Sequence, residues 1–135
     1  MKKITIIDGQ GGRMGKVLIE QLKKEFPEQE LLAIGTNSIA TASMLKAGAD
    51  YGATGENPVI VASRDSDIII GPIGIVIADS LFGEVTPAMA AAVGRSHAIQ
   101  LLMPVNRCNH HVVGCEEISM NEIIHRVVEQ VRGLL

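Results

Sequence analysis

Ile4-Thr5-Ile6-Ile7-Asp8-Gly9-Gln10-Gly11-Gly12-Arg13-Met14-Gly15-Lys16 is the stretch that decides the fold. Ile4 to Ile7 is apolar and β-branched without alternation, as in strands buried on both faces of a parallel sheet. Four glycines, at positions 9, 11, 12 and 15, follow the strand. Met14, Val17, Leu18, Leu22 and Phe26 then recur at helical spacing until Pro27 stops the helix. A strand that runs through a glycine-rich turn into a helix is the first half of a βαβ unit.

The pattern repeats along the chain. Glu30 to Ile34 reads as a second strand, followed by Gly35-Thr36-Asn37-Ser38. Asn37 or Ser38 can cap a helix containing Ala42, Met44 and Leu45, with Gly48 as its stop. Asp50 to Glu56, with Gly52 and Gly55, reads as a loop, and Pro58 opens a short helix through Ala62. Asp67 to Ile70 is a third strand, running into Gly71-Pro72-Ile73-Gly74. Periodicity leaves Ile75 to Leu81 open between helix and strand; the turn residues Pro72 and Gly74 before it favour a helix. Thr86 caps a further helix with Pro87 in the favoured first position and Gly94 as its end. Ala98 to Met103 is a fourth strand, closed by Pro104.

The last helix has the plainest pattern. Ser119 and Glu122 form a capping box. Met120, Ile123, Ile124, Val127, Val128, Val131 and Leu134 make an apolar stripe. The stripe is expected on the sheet; if the sheet covers too little of it, it becomes a dimer interface. Strands alternating with helices imply parallel strands and right-handed crossovers. The expectation is an α/β fold: a doubly wound parallel sheet, Rossmann-like, three layers α/β/α, in a single domain over residues 1–135.

Composition agrees with this and narrows the function. At 135 residues the chain fits one domain. Hydrophobic residues make up 47% but aromatics only 2%, namely Phe26, Tyr51 and Phe82, so the core is aliphatic. A net charge of −3 without a run of either sign gives no footprint for nucleic acid. No apolar stretch reaches the roughly 18 residues of a membrane span. The N-terminus enters a strand at once, without a signal-peptide pattern. A cytoplasmic protein is expected, in which Cys108 and Cys115 stay reduced.

Ligands of doubly wound folds sit beyond the carboxyl ends of the strands. Asp8, Gly9, Gln10, Gly11, Gly12, Arg13, Met14 and Gly15 lie there. Glycines let the backbone approach an anion, and a helix N-terminus supplies free N–H groups and about half a positive charge. Arg13 and Lys16 add countercharge. The pattern is Gly-x-x-Gly-x-x-Gly at 9, 12 and 15. It departs from the strict Gly-x-Gly-x-x-Gly at Met14, and from a P-loop at Gln10 and Val17. Either the turn holds a phosphate-bearing ligand, with NAD(P) or another nucleotide as the cofactor class, or it is a tight strand-to-helix turn that binds nothing. Asp8 would repel a phosphate unless it caps backbone N–H groups, bonds a hydroxyl or holds Mg²⁺; capping its own turn is the plainer role. Where strand two should offer an acidic group to the ribose, it offers Thr36, Asn37 and Ser38, which suit a ribose or a 2′-phosphate. Gly71, Pro72, Ile73 and Gly74, with Asn106 and Arg107 after strand four, should line the same cleft. Arg107 is suited to a carboxylate or phosphate.

Other groups carry less. Asp79 and Glu84 read as an exposed helix end rather than an acid–base pair. Cys108, His110, His111 and Cys115 do not match an established zinc spacing, so no metal is expected. Cys108 reads as filler rather than as a nucleophile. A phosphorylation receiver would need acidic residues where Gly71 stands.

Gly9-Gln10-Gly11-Gly12-Arg13-Met14-Gly15-Lys16 resembles the cofactor turn of dihydrodipicolinate reductases, which use NADH or NADPH. That resemblance covers about residues 4 to 20, and those enzymes carry a second, substrate-binding domain for which this chain has no room. A wider resemblance rests on Asp8-Gly9-Gln10-Gly11-Gly12, Gly35-Thr36-Asn37-Ser38-Ile39-Ala40-Thr41, Lys46-Ala47-Gly48-Ala49-Asp50, Ala53-Thr54-Gly55-Glu56-Asn57, Gly71-Pro72-Ile73-Gly74-Ile75, Gly83-Glu84-Val85-Thr86-Pro87 and Pro104-Val105-Asn106-Arg107-Cys108-Asn109. With these the chain is similar to a bacterial family of short Rossmann-like proteins, domain of unknown function 3842, which implies the fold and no established activity. The readings that follow are a module binding a nucleotide or phosphorylated metabolite, a small NAD(P)-dependent oxidoreductase acting as a homo-oligomer, and a structural partner protein using the last helix.

Overall fold

The protein is described from a computed structural model, which covers residues 1–105 and 110–135. Its centre is a five-stranded parallel sheet in the order β3-β2-β1-β4-β5. The strands are β1 (Ile4–Asp8), β2 (Leu31–Gly35), β3 (Tyr51–Thr54), β4 (Ile68–Pro72) and β5 (Ile99–Met103). The helices are α1 (Arg13–Glu25), α2 (Ser38–Lys46), α3 (Glu56–Ser63), α4 (Pro87–Arg95) and α5 (Met120–Leu134). The chain winds outward from β1 through β2 to β3, then crosses back to β4 beside β1. That reversal between β1 and β4 is the switch point at which doubly wound sheets open a crevice.

Every residue of β1 is buried, which is why its sequence shows no alternation. Ile4 and Ile6 pack with Leu18, Leu22, Met44 and Val128 in the core that α1, α2 and α5 cover. Ile7 points to the opposite layer, with Ile69, Val59, Met89 and Val93 under α3 and α4. The three-layer α/β arrangement is thus the one expected. The stripe of α5 lies inside it: Ile123, Ile124, Val127, Val128 and Val131 are buried. That removes the surface on which a last-helix interface depended.

Some expectations need correction. Residues 51–54 are not loop but the edge strand β3, paired to β2 through Leu32↔Tyr51 and Gly35↔Thr54, so the sheet has a fifth strand. Gly52 stands there because Leu45 crosses it; an added Cβ would lie 2.9 Å from that side chain. The helix assigned to 75–81 is only a 3-10 turn over Ile73–Val76, followed by turns to Glu84. Its apolar residues serve burial rather than periodicity: Ile75 and Val85 plug the second core. Helix α3 starts at Glu56, after Gly55 at φ 98°, rather than at Pro58. Helix α4 runs past Gly94 to Arg95. The capping box of α5 is half formed. Ser119 Oγ accepts from the Glu122 N–H at 3.2 Å, while the Glu122 carboxylate turns to Arg126. Ser119→Ala should therefore cost about 1 kcal/mol, seen as a fall of about 4 °C in melting temperature. An unchanged melt would show that the hydroxyl carries no capping energy.

Candidate functional site

Strand β1 ends at Asp8, and the chain reverses into α1 through a turn closed by the Gly12 N–H on the Gly9 carbonyl at 2.9 Å. Asp8 is buried, and its carboxylate is committed to that turn. Oδ1 accepts from the Gly9 N–H at 2.8 Å and Oδ2 from the Gly15 N–H at 2.7 Å. Of the roles open to Asp8, capping its own turn is the one the geometry displays.

The glycines divide by what a side chain would meet. At Gly9 a Cβ would lie 2.5 Å from Thr36 Oγ1; at Gly15, 2.6 Å from the Met44 sulfur. At Gly12, where φ is +68°, it would lie 2.8 Å from the Ala40 backbone. These three glycines are explained by close packing of β1 and α1 against their neighbours. Gly11 differs: nothing lies within 4 Å of an added Cβ. Gly11 and Arg13 are exposed, and among the described residues none accepts a hydrogen bond from their N–H groups.

The end of β2 joins this turn. The Thr36 N–H donates to the Asp8 carbonyl at 2.9 Å, and Asn37 Nδ2 donates to the Gln10 carbonyl at 2.8 Å. Asn37 Oδ1 in turn caps α2 by accepting from the Ala40 N–H. Ser38 is the first residue of α2. Gly71 is held against β1, where an added Cβ would lie 2.4 Å from the Ile7 carbonyl. Pro72, Ile73 and Gly74 line a cavity of only about 20 Å³ with Ser80, Leu81 and His110. Asn106 and Arg107, expected in this cleft, and Cys108 lie outside the described residues.

Glu84 corrects the sequence reading. It is not an exposed helix end but part of the site, delivered by the loop after β4. Its Oε1 accepts from the Gln10 N–H at 2.8 Å, from Thr36 Oγ at 2.6 Å and from Asn37 Nδ2 at 2.8 Å. Burial pushes the Glu84 carboxyl up, but the donors Thr36, Gln10 and Asn37 outweigh it and hold it below its ordinary value. The loop that carries it is tightly wound: Asp79, Leu81 and Phe82 all take positive φ, at 64°, 55° and 56°. Asp79 itself is exposed. Sequence spacing could not reveal this clamp, because Glu84 reaches across 74 positions to Gln10.

A cavity of about 560 Å³ lies away from the glycine turn. It is an apolar groove beside α3, lined by Leu32, Ile34, Tyr51, Ala53 and Val61 with the start of the chain. Tyr51 and Val61 are exposed there. Its lining includes none of the hydrogen-bonding groups gathered at the turn. No three His, Cys, Asp or Glu among the described residues are grouped to hold a metal ion. No helix among them is long and apolar enough to cross a membrane.

One solved structure, the dodecameric FMN-dependent Ubix-like decarboxylase from Escherichia coli O157:H7, is similar over 97% of this chain and 93% of that chain. The TM-score is 0.53 and the identity 17%, so the similarity bears on the fold alone. No curated protein matches the chain. The sequence matches the family described as "Domain of unknown function (DUF3842)" over residues 3–135, and the chain belongs to that family.

Proposed function

We propose, from a family whose name assigns no activity and from the geometry of the turn, that this protein binds a nucleotide, dinucleotide or phosphorylated metabolite where β1 enters α1. The observation that carries this reading is the split among the glycines. Packing accounts for Gly9, Gly12 and Gly15, while Gly11 stands exposed beside the start of α1 with open space above it. A phosphate there would meet the N–H groups of Gly11 and Arg13 and the positive end of the helix. Thr36, Asn37 and Ser38 would face the sugar, and the segment Gly71–Gly74 the remainder. NAD(P) and flavin nucleotides are the cofactor classes to try first; the FMN of the structural neighbour supports the second. Binding, rather than catalysis, is the role the site supports.

The protein is further proposed to work in the cytoplasm as a homo-oligomer, with the groove beside α3 as the contact face. The unpartnered edge of β3 and the exposed Tyr51 and Val61 support this, as does the dodecameric assembly of the neighbour.

Native mass spectrometry of the purified protein reads both proposals at once. A mass excess equal to a nucleotide on a multiple of the chain mass is the expected spectrum. For weaker ligands, a nucleotide at ten times its Kd should stabilise by about 1.4 kcal/mol, a rise of roughly 5 °C in the melt. A bare monomer whose melt no nucleotide moves would overturn both. Loss of NAD(P)H absorbance with a small-molecule substrate would instead make the protein an oxidoreductase.

A further inference from the structure

In doubly wound dinucleotide sites, an acidic residue at the end of the second strand receives the ribose hydroxyls. Here β2 ends in Gly35 and is followed by Thr36 and Asn37, neither of them acidic. A carboxylate nevertheless stands at that place. Glu84, from the loop after β4, is drawn against the end of β2 by Thr36 and Asn37 and against the glycine turn by the Gln10 N–H. All three donors converge on Oε1. Oε2 takes no hydrogen bond from the described residues, and Glu84 is only partly buried. No described salt bridge includes Glu84, so its charge is not cancelled by an ion pair there.

We infer that Glu84 is the sugar-recognition residue of the site and selects nucleotides with a free ribose 2′-hydroxyl over those with a 2′-phosphate. The inference rests on the nucleotide reading above and deepens it. A ligand whose phosphate lies on Gly11 and Arg13 carries its sugar across Gln10 toward Thr36. That path brings the 2′- and 3′-hydroxyls to Oε2. A hydroxyl can donate to that oxygen, and the bond is charge-assisted. A 2′-phosphate is largely a dianion at neutral pH and meets a fixed negative charge instead. A like charge built against the competitor is a common way of making a site selective. Thr36 and Asn37, which by themselves suit either sugar, have their donors already spent on Glu84.

The test is calorimetric titration of the whole protein with NAD⁺, NADP⁺, AMP and FMN, repeated on Glu84→Gln. Glutamine keeps an oxygen for the three donors, removes the charge and puts an amide N–H donor where Oε2 stood. Wild type should bind NAD⁺ at least tenfold more tightly than NADP⁺, and Glu84→Gln should bring the two within about threefold. The wild-type ratio decides even if the variant fails to fold. Equal or tighter NADP⁺ binding by wild type would overturn the inference and leave nucleotide binding standing. So would binding of FMN, which has no ribose ring, without NAD⁺ or AMP. Failure of all four probes to bind would remove the nucleotide reading, and this inference with it.

Discussion

Gly12→Val should lower the melting temperature by about 10 °C or prevent folding, while Gly11→Val should melt like the wild type and lose its ligand. Gly12 sits at φ +68°, where a side chain costs roughly 1–2 kcal/mol. A Cβ there would also stand 2.8 Å from the Cα and carbonyl oxygen of Ala40. Those atoms belong to the backbone of α2, so they cannot rotate aside; α2 would have to move off α1, which overpacking data put at about 1–3 kcal/mol. Together these are a sizeable part of a total stability of about 5–15 kcal/mol. At Gly11 neither term applies, since φ lies outside the left-handed region and the space is open. Its branched side chain would occupy the place proposed for the phosphate. Circular dichroism melts of both variants, with and without nucleotide, separate the effects. A stable Gly12→Val variant would mean that the turn is looser than its geometry. A Gly11→Val variant that still binds would place the ligand elsewhere.

The contrast between neighbouring glycines also marks how far the sequence could be read. The run Ile4 to Ile7, the helix from Met14 to Phe26 and the stripe of α5 were legible because their signals are local: an apolar run, a spacing, a cap. Four glycines in a row of seven residues were legible as a turn, yet only contact with Ala40, Met44 and Thr36 separates the packed ones from the open one. Strand β3 was missed because the strand formers Tyr51 and Thr54 are separated by Gly52 and Ala53, and the segment is held by pairing to β2. The apolar run at 75–81 was misread because it fills a gap between β4 and α4 and repeats no period. Glu84 was misread for the same reason at longer range: its partners Gln10, Thr36 and Asn37 come from two other crossovers. Nothing near position 84 announces them.

That long-range clamp should be measurable in stability, independently of any ligand. Glu84→Ala leaves the Gln10 N–H, the Thr36 hydroxyl and the Asn37 amide without their shared acceptor. Each buried donor left unpaired costs on the order of 1 kcal/mol or more. The site is only partly buried, so water recovers some of that, and about 2 kcal/mol is the expected total. This corresponds to a fall of roughly 8 °C at pH 7. The sign of the pH dependence follows from the direction of the shift. Folding holds the Glu84 carboxyl below its ordinary value of 4.5, so the folded state prefers the ionised form. Its contribution is complete above about pH 4.5 and is lost as pH falls through the lower folded value. The gap between wild type and Glu84→Ala should therefore stay constant from pH 7 down to about 5 and narrow below that. Denaturation curves at pH 7, 5, 4 and 3 follow it. A gap that stayed constant down to pH 3 would show that packing of the side chain, rather than its charge, ties the β4 loop to the turn. The absence of a gap at pH 7 would mean that the loop adds no stability through Glu84. In that case the carboxylate would stand at the sugar position at no cost to the fold, as a group kept for the ligand alone.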